Sequence, residues 1–244
     1  IFNQNPDVSA TPNSMVADIF VGAELLKQQS VFQNYPDEQS LDNVTNGILQ
    51  LYYSHWETKY IIDRSIWGLP HIFNTLKKFP PNDIKVIVPV RDLKEVIASF
   101  IKFSYKTKNN YIAIDPQTKR ERSLEERFLF VMNNSEGFHK WINCVMNLIQ
   151  PENKKYIYLM EYNDLVNNPE KTMSEIYKFL GIKPFKHKFK DLKQLKVNGL
   201  SYNDDELGKG LHTIKTDTVG KDNYDINDYL PADLSRYKLD PFWR

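Results

Sequence analysis

The stretch Ile84-Lys85-Val86-Ile87-Val88-Pro89-Val90-Arg91-Asp92-Leu93-Lys94-Glu95-Val96-Ile97-Ala98-Ser99-Phe100 decides the fold class of this 244-residue chain. Its opening residues are mostly β-branched and nearly all apolar, as a parallel strand covered on both faces requires. Pro89 has no N–H for a sheet ladder, so the strand is expected to end or bulge there. Arg91-Asp92 follows, and Val96, Ile97, Phe100 and Ile101 then recur at helical spacing. A buried strand passes the chain to a helix across an arginine.

Working outward, Lys59-Tyr60-Ile61-Ile62-Asp63 and Tyr156-Ile157-Tyr158-Leu159-Met160 are two further short apolar runs without helical period, and read as strands. Helices are predicted between them. One begins near Ser14, with Asn13 or Ser14 as N-cap, and carries Met15, Ile19, Phe20, Leu25 and Leu26. Another starts near Asp37 and carries Leu41, Val44, Ile48, Leu51 and Tyr52 on one face. A third spans 68–79, stopped by Pro80-Pro81. One long helix covers 124–148, and another runs from Pro169 to Leu180 with Gly181 as its C-cap. Residues 106–123 are polar and rich in Lys and Arg, and read as a surface insertion or mobile loop. The tail from about Lys186 is polar and irregular.

Strand and helix alternate with connections long enough for crossovers. That predicts an α/β, three-layer architecture: a mostly parallel sheet with helices on both faces, formed by residues 1–244 as a single domain. Ile1 to Gln4 reads as the end of a helix that stops before Asn5-Pro6-Asp7, so the domain is expected to be truncated before residue 1.

Bulk composition narrows the function classes. A net charge of +1 gives no basic face for nucleic acid. No apolar run approaches the roughly 20 residues a membrane helix needs, and no secretory leader is visible, so a cytoplasmic setting is expected. The single cysteine, Cys144, precludes an internal disulfide and stands among apolar residues, where it reads as a packed thiol. No group of residues has metal-ligand spacing.

Ligands of open parallel sheets bind outside the carboxyl ends of the strands. The residues there are Asp63-Arg64, Arg91-Asp92 and Glu161-Tyr162-Asn163-Asp164. A guanidinium offers a planar fork of donors that matches phosphate or sulfate. Ser99, two helical turns beyond Arg91, falls on roughly the same side as the helix start, where anions are favoured. The other reading is that Arg91 pairs with a structural Asp and Ser99 packs against the sheet.

Four segments in order tip the balance. Val88-Pro89-Val90-Arg91-Asp92 with Ser99 closely resembles the 3′-phosphate-binding motif of sulfotransferases. Tyr158-Leu159-Met160-Glu161-Tyr162-Asn163-Asp164-Leu165 with Phe179-Leu180-Gly181-Ile182 resembles the family's third strand, turn and helix end, with Asn163 where many members have Glu. Gly210-Leu211-His212 is similar to a segment of bacterial and viral sulfotransferases, and Ile62-Asp63-Arg64-Ser65 to the strand that carries an Asp-Lys or Lys-Asp pair.

The resemblance implies a P-loop NTPase-like sulfotransferase fold whose phosphosulfate loop would lie just before Ile1. It implies 3′-phosphoadenylyl sulfate (PAPS) as co-substrate, its bisphosphate (PAP) as product, and no metal. Arg91 and Ser99 would hold the 3′-phosphate. Tyr162 would line the adenine or that phosphate, and Lys209-Gly210 would approach the nucleotide. Arg64 falls where tyrosylprotein sulfotransferases place a catalytic lysine.

The acceptor, whether small molecule, sugar, lipid or peptide, is not legible. Nor is the base obvious. The His of cytosolic members is replaced by Ser65-Ile66, and the early Glu of others is missing from Ala10-Thr11-Pro12-Asn13-Ser14. Asp63, His71 and His212 remain, with His212 first and Asp63 expected to orient Arg64. A P-loop nucleotide kinase-like protein and a non-catalytic nucleotide-binding relative are the alternatives.

Overall fold

A computed structural model describes residues 1–77, 84–106, 111–193, 195–203, 218–220 and 223–244. The chain is a mixed α/β structure in two compact units, each with one two-stranded parallel pair among the described residues.

The first unit comprises Ile1–Lys85, Phe185–Lys188 and Lys193–Tyr202. Its strands β1 (Val8–Ala10) and β2 (Tyr60–Ile62) pair in parallel, Val8 opposite Tyr60 and Ala10 opposite Ile62. The sequence shows no apolar run at β1. That strand is held from outside, because the Asn3 side chain donates to the Ala10 carbonyl at 3.0 Å and accepts from the Ala10 N–H at 2.6 Å. One amide thus completes the ladder of a strand too short to stand alone. The four helices of this unit are α1 (Val16–Leu26), α2 (Ser30–Asn34), α3 (Glu38–Tyr52) and α4 (Pro70–Leu76).

Asp37 caps α3 by accepting from the Ser40 N–H, and Pro70 opens α4 where its missing N–H costs nothing. Helix α1 instead starts from Met15, with neither Asn13 nor Ser14 capping it. Val16, Ala17, Phe20, Ala23, Ile48, Trp67 and Ile72 form the core, with Phe20 set edge-on to Trp67 at 5.7 Å. The helical periods predicted more than this core contains. Met15, Ile19, Leu25 and Leu26 of the first pattern, and Val44 and Leu51 of the second, are exposed.

The second unit comprises Val86–Pro184, Phe189–Leu192 and Asn203–Arg244. Here β3 (Val86–Val90) and β4 (Ile157–Glu161) run parallel, Val86 opposite Ile157 and Val90 opposite Glu161. Pro89 does not end β3. It pairs with Met160 and is exposed, in the position of an edge proline that withholds no needed donor. Around the pair lie α5 (Leu93–Lys106), α6 (Leu124–Asn134), α7 (Glu136–Leu148), α8 (Tyr162–Asn167) and α9 (Pro169–Leu180).

The single long helix expected over 124–148 is two. Ser135 ends α6 in an extended conformation and caps α7, accepting from the Phe138 N–H. Asn133, Asn134 and Ser135 offer the backbone side-chain partners that compete with the helix, and Gly137 adds its own helix-weakening freedom. Helix α6 opens with a capping box from Ser123 and Glu126. Helix α9 closes on Gly181, whose φ of 71° suits a residue without Cβ.

The described part of 111–123 is tied to this unit. Ile114 bridges Glu121, and Ile112 and Ala113 are buried. Arg127, only 1% exposed, donates to Ser104 Oγ at 2.7 Å and to the Arg122 carbonyl at 2.9 Å, and pairs with Glu121.

Val90, Ile97, Ile101, Phe128, Val131 and Ile176 supply the apolar centre of the second unit. Ile97 is fully enclosed and Val44 is 60% exposed, although both stand on the apolar face of a predicted helix. Ile97→Ala is expected to cost about 2–5 kcal/mol in urea unfolding and Val44→Ala under about 0.5 kcal/mol. Equal losses at the two positions would contradict this packing.

Candidate functional site

Arg91 is the first residue beyond β3, and Tyr162 the first beyond β4. Parallel pairing places both at the carboxyl end of the pair, and there they meet. The Arg91 guanidinium carbon stands 4.3 Å from the Tyr162 ring centroid. The tyrosine hydroxyl in turn donates to the Gly220 carbonyl at 3.3 Å. Arg91 Nε donates to Glu95 Oε2 at 2.7 Å, from a pair whose side chains are only 23% and 17% exposed. The sequence reading paired Arg91 with either a phosphate or a structural Asp; its protein partner is a glutamate one helical turn on. Asp92 is occupied elsewhere, as the cap of α5, accepting from the N–H groups of Lys94 at 2.9 Å and Glu95 at 3.3 Å.

Among the described residues the two terminal Nη groups of Arg91 have no partner. Arg91 is also one of the residues lining a cavity of about 320 Å³. Phe100, Phe138, Trp141 and Tyr162 give it aromatic walls, and Pro89 and Val96 add aliphatic ones. Ser99 is exposed, so it does not pack against the sheet. It stands four residues beyond Glu95, which continues the strip of α5 that begins with the Arg91 contact.

A second support behind the site was not visible in the sequence. Trp243 Nε1 and Arg244 Nε both donate to Glu161 Oε1, at 3.1 and 3.2 Å, and Trp243 meets Trp141 edge-on at 6.0 Å. The residue before Tyr162 and one wall of the cavity are thus held by the same indole. Asn163 Oδ1 is enclosed and has no hydrogen-bond partner among the described residues.

A family model described as "Sulfotransferase domain" matches residues 68–218, which carry β3, α5, Arg91, Ser99 and Tyr162. The chain belongs to the sulfotransferase family. Among solved structures, "Sulfotransferase Domain from the Curacin Biosynthetic Pathway" aligns at 16% identity and a TM-score of 0.37, covering 70% of this chain. The chain spans 56% of that structure's length. No curated protein matches.

Some residues expected of a sulfotransferase site lie outside the described residues, and others belong to the first unit. Lys209, Gly210 and His212 lie outside the described residues. Arg64 belongs to the first unit, where it is exposed. Its Nη1 donates to the Pro12 carbonyl at 2.6 Å and its N–H to Thr11 Oγ1 at 2.8 Å, so it fastens the turn after β1 to the end of β2. Asp63 does not orient it. Oδ2 of Asp63 accepts from the Tyr53 hydroxyl, and Oδ1 accepts from Trp67 Nε1 at 2.6 Å. Both oxygens are taken by ring donors that secure α3 and the stretch before α4. His71 stands on α4 and is exposed. Among the described residues, no cluster of three His, Cys, Asp or Glu could hold a metal, and no helix is long and apolar enough to cross a membrane.

Burial raises the Tyr53 hydroxyl above the ordinary tyrosine range, and the hydrogen bond and charge of Asp63 raise it further. The folded state therefore prefers neutral Tyr53. That contribution to stability is complete below the unfolded tyrosine value near 10 and fades as pH climbs toward the folded one. A spectroscopic titration differenced against Tyr53→Phe is expected to show this ring ionising after ordinary tyrosines. Asp63→Asn is expected to bring it downward and cost about 1.5–3 kcal/mol. Tyr53 titrating in the ordinary range in the unaltered protein would refute the network.

Proposed function

We propose that this chain transfers a sulfuryl group from 3′-phosphoadenylyl sulfate to a hydroxyl or amine acceptor, with Arg91 and Ser99 holding the ribose 3′-phosphate. The observation that carries the reading is the state of Arg91. Its charged fork ends β3 with both terminal nitrogens unpartnered among the described residues, at the edge of an aromatic-walled cavity. A guanidinium fork suits a phosphate, and ring faces suit a purine. Family membership supports sulfuryl transfer as the chemistry. Family membership and the parallel pairing of strands in each unit are in keeping with a P-loop NTPase-like, three-layer class, which is part of the proposal.

In this reading the acceptor oxygen or nitrogen attacks sulfur in line. The bond from sulfur to the bridging phosphate oxygen breaks, the bisphosphate leaves with the electron pair, and the acceptor proton passes to a base. Positioning and cationic stabilisation of the leaving oxygen then account for most of the rate. Arg91 contributes by anchoring the nucleotide at its far phosphate, away from the breaking bond, so its loss is felt in binding first. Tyr162 would line the nucleotide from the end of β4. Arg64 is proposed as the cation near the transferring group and His212 as the base, with Lys209-Gly210 approaching the nucleotide. The acceptor is a small molecule, sugar, lipid or peptide, each to be assayed.

Calorimetry with adenosine 3′,5′-bisphosphate tests the assignment. Arg91→Ala is expected to weaken binding about 30-fold or more, since charge-assisted bonds to phosphate are lost. Ser99→Ala is expected to weaken it roughly 3- to 10-fold. Adenosine 5′-monophosphate, which has no 3′-phosphate, should be indifferent to either change. Equal binding of both nucleotides by the unaltered protein, or a preference for ATP, overturns the reading.

A further inference from the structure

We infer that Glu95 is a positioning residue of the nucleotide site: it fixes the Arg91 fork by its Nε edge so that the two terminal amino groups are presented, already oriented, to a 3′-phosphate. This rests on the reading of Arg91 given above and adds to it a residue to which the family resemblance assigns no role.

Three contacts carry the inference. A guanidinium has five N–H donors in a plane: one on Nε and four on the two Nη atoms. The Nε donor is committed to Glu95 Oε2 at 2.7 Å. The guanidinium carbon stands over the Tyr162 ring, 4.3 Å from its centroid. A planar group held along one edge and against a ring keeps little freedom to turn, and among the described residues the Nη edge is the one left for a ligand. The backbone that carries Glu95 is itself held, because the Glu95 N–H donates to the capping Asp92 Oδ1 at 3.3 Å. The spacing completes the device. Arg91 to Glu95 and Glu95 to Ser99 are each one helical turn, so the carboxylate stands on α5 between the two groups assigned to the phosphate.

A carboxylate in that place has an electrostatic consequence. It cancels the charge of Arg91, so the pair attracts an anion less than a bare arginine would. What the pair offers is geometry, namely two parallel N–H donors in a plane that matches phosphate oxygens. Pre-orientation of this kind strengthens binding by removing the ordering cost at the moment of contact.

The two roles of Glu95 separate by substitution. Glu95→Gln keeps an oxygen acceptor for Nε and loses the charge. Glu95→Ala loses both. If Glu95 positions Arg91, Glu95→Ala raises the dissociation constant for adenosine 3′,5′-bisphosphate about 10-fold, while Glu95→Gln restores it to within about 3-fold of the unaltered protein or tighter. Adenosine 5′-monophosphate binding stays put in both, which a general loss of structure would not allow. In an Arg91→Lys background, where no Nε edge exists, adding Glu95→Ala has no further effect. Tighter bisphosphate binding in Glu95→Ala would mean that the carboxylate only repels, and unchanged binding would mean it only stabilises α5. Either result overturns the inference. Arg91→Ala run alongside keeps the two levels apart. If it leaves bisphosphate binding intact, the assignment of Arg91 itself fails. If it abolishes binding while Glu95→Ala changes nothing, that assignment stands and Glu95 is not its positioner.

Discussion

A guanidinium at the end of a parallel strand is the constraint around which the second unit is arranged. Arg91 is permanently charged and yet largely withdrawn from water, at 23% exposure. Such a charge is costly to hold without a partner. The chain answers with the first carboxylate that helix geometry can bring back to it, Glu95, and with the ring that ends the neighbouring strand, Tyr162. Each of those has its own support. Asp92 caps the helix bearing Glu95, and Trp243 with Arg244 fastens the Glu161 that precedes Tyr162. The cavity wall then follows from the same contacts, since Trp141 is packed against Trp243.

The first unit solves a related problem with the opposite charge. Asp63 leaves β2 as Arg91 leaves β3, but its two oxygens are consumed by Tyr53 and Trp67. A carboxylate that accepts from two rings anchored in different elements is a joint, and a joint makes a poor proton acceptor for a substrate. The neighbouring Arg64 spends one nitrogen on the Pro12 carbonyl and keeps the rest of its fork in solvent. The carboxylate at one strand end is therefore filled by internal bonds, whereas the half-buried Arg91 at the other lines an aromatic-walled cavity and keeps two Nη groups without a partner among the described residues, and this difference is what singles it out as the candidate anchor.

Much of this was legible in the residues. The β-branched run before Arg91, the helical period after it, and the Pro169 to Gly181 helix with its left-handed cap are local features, and local features survive into the fold. What escaped depends on distant partners. Strand β1 exists because the Asn3 amide closes its ladder, and three residues of unremarkable composition carry no mark of that. The amphipathic patterns at Met15–Leu26 and Leu41–Tyr52 correctly made helices, but a period says which residues share a face and not how much of that face a neighbour covers. The pairing of Arg91 with Glu95 was within reach, as an i,i+4 spacing. That spacing carries no mark of its own, since Asp92 is nearer in sequence and a strand-end arginine also suits a ligand.

A proposed anion site that keeps its own carboxylate looks self-defeating, and the geometry explains why it is not. If Glu95 bound the Nη edge, a phosphate would have to displace it and break a half-buried ion pair at real cost. Because it takes the Nε edge instead, the internal pair and the proposed ligand use different atoms of one plane. The empty and loaded states can then share a single arrangement of Arg91, Glu95 and Tyr162, and binding needs no rearrangement of the pair. The sacrifice falls on long-range attraction, since the pair is neutral overall. For a chain whose net charge is only +1, recognition of a phosphate would then rest on the placement of two N–H groups more than on field strength.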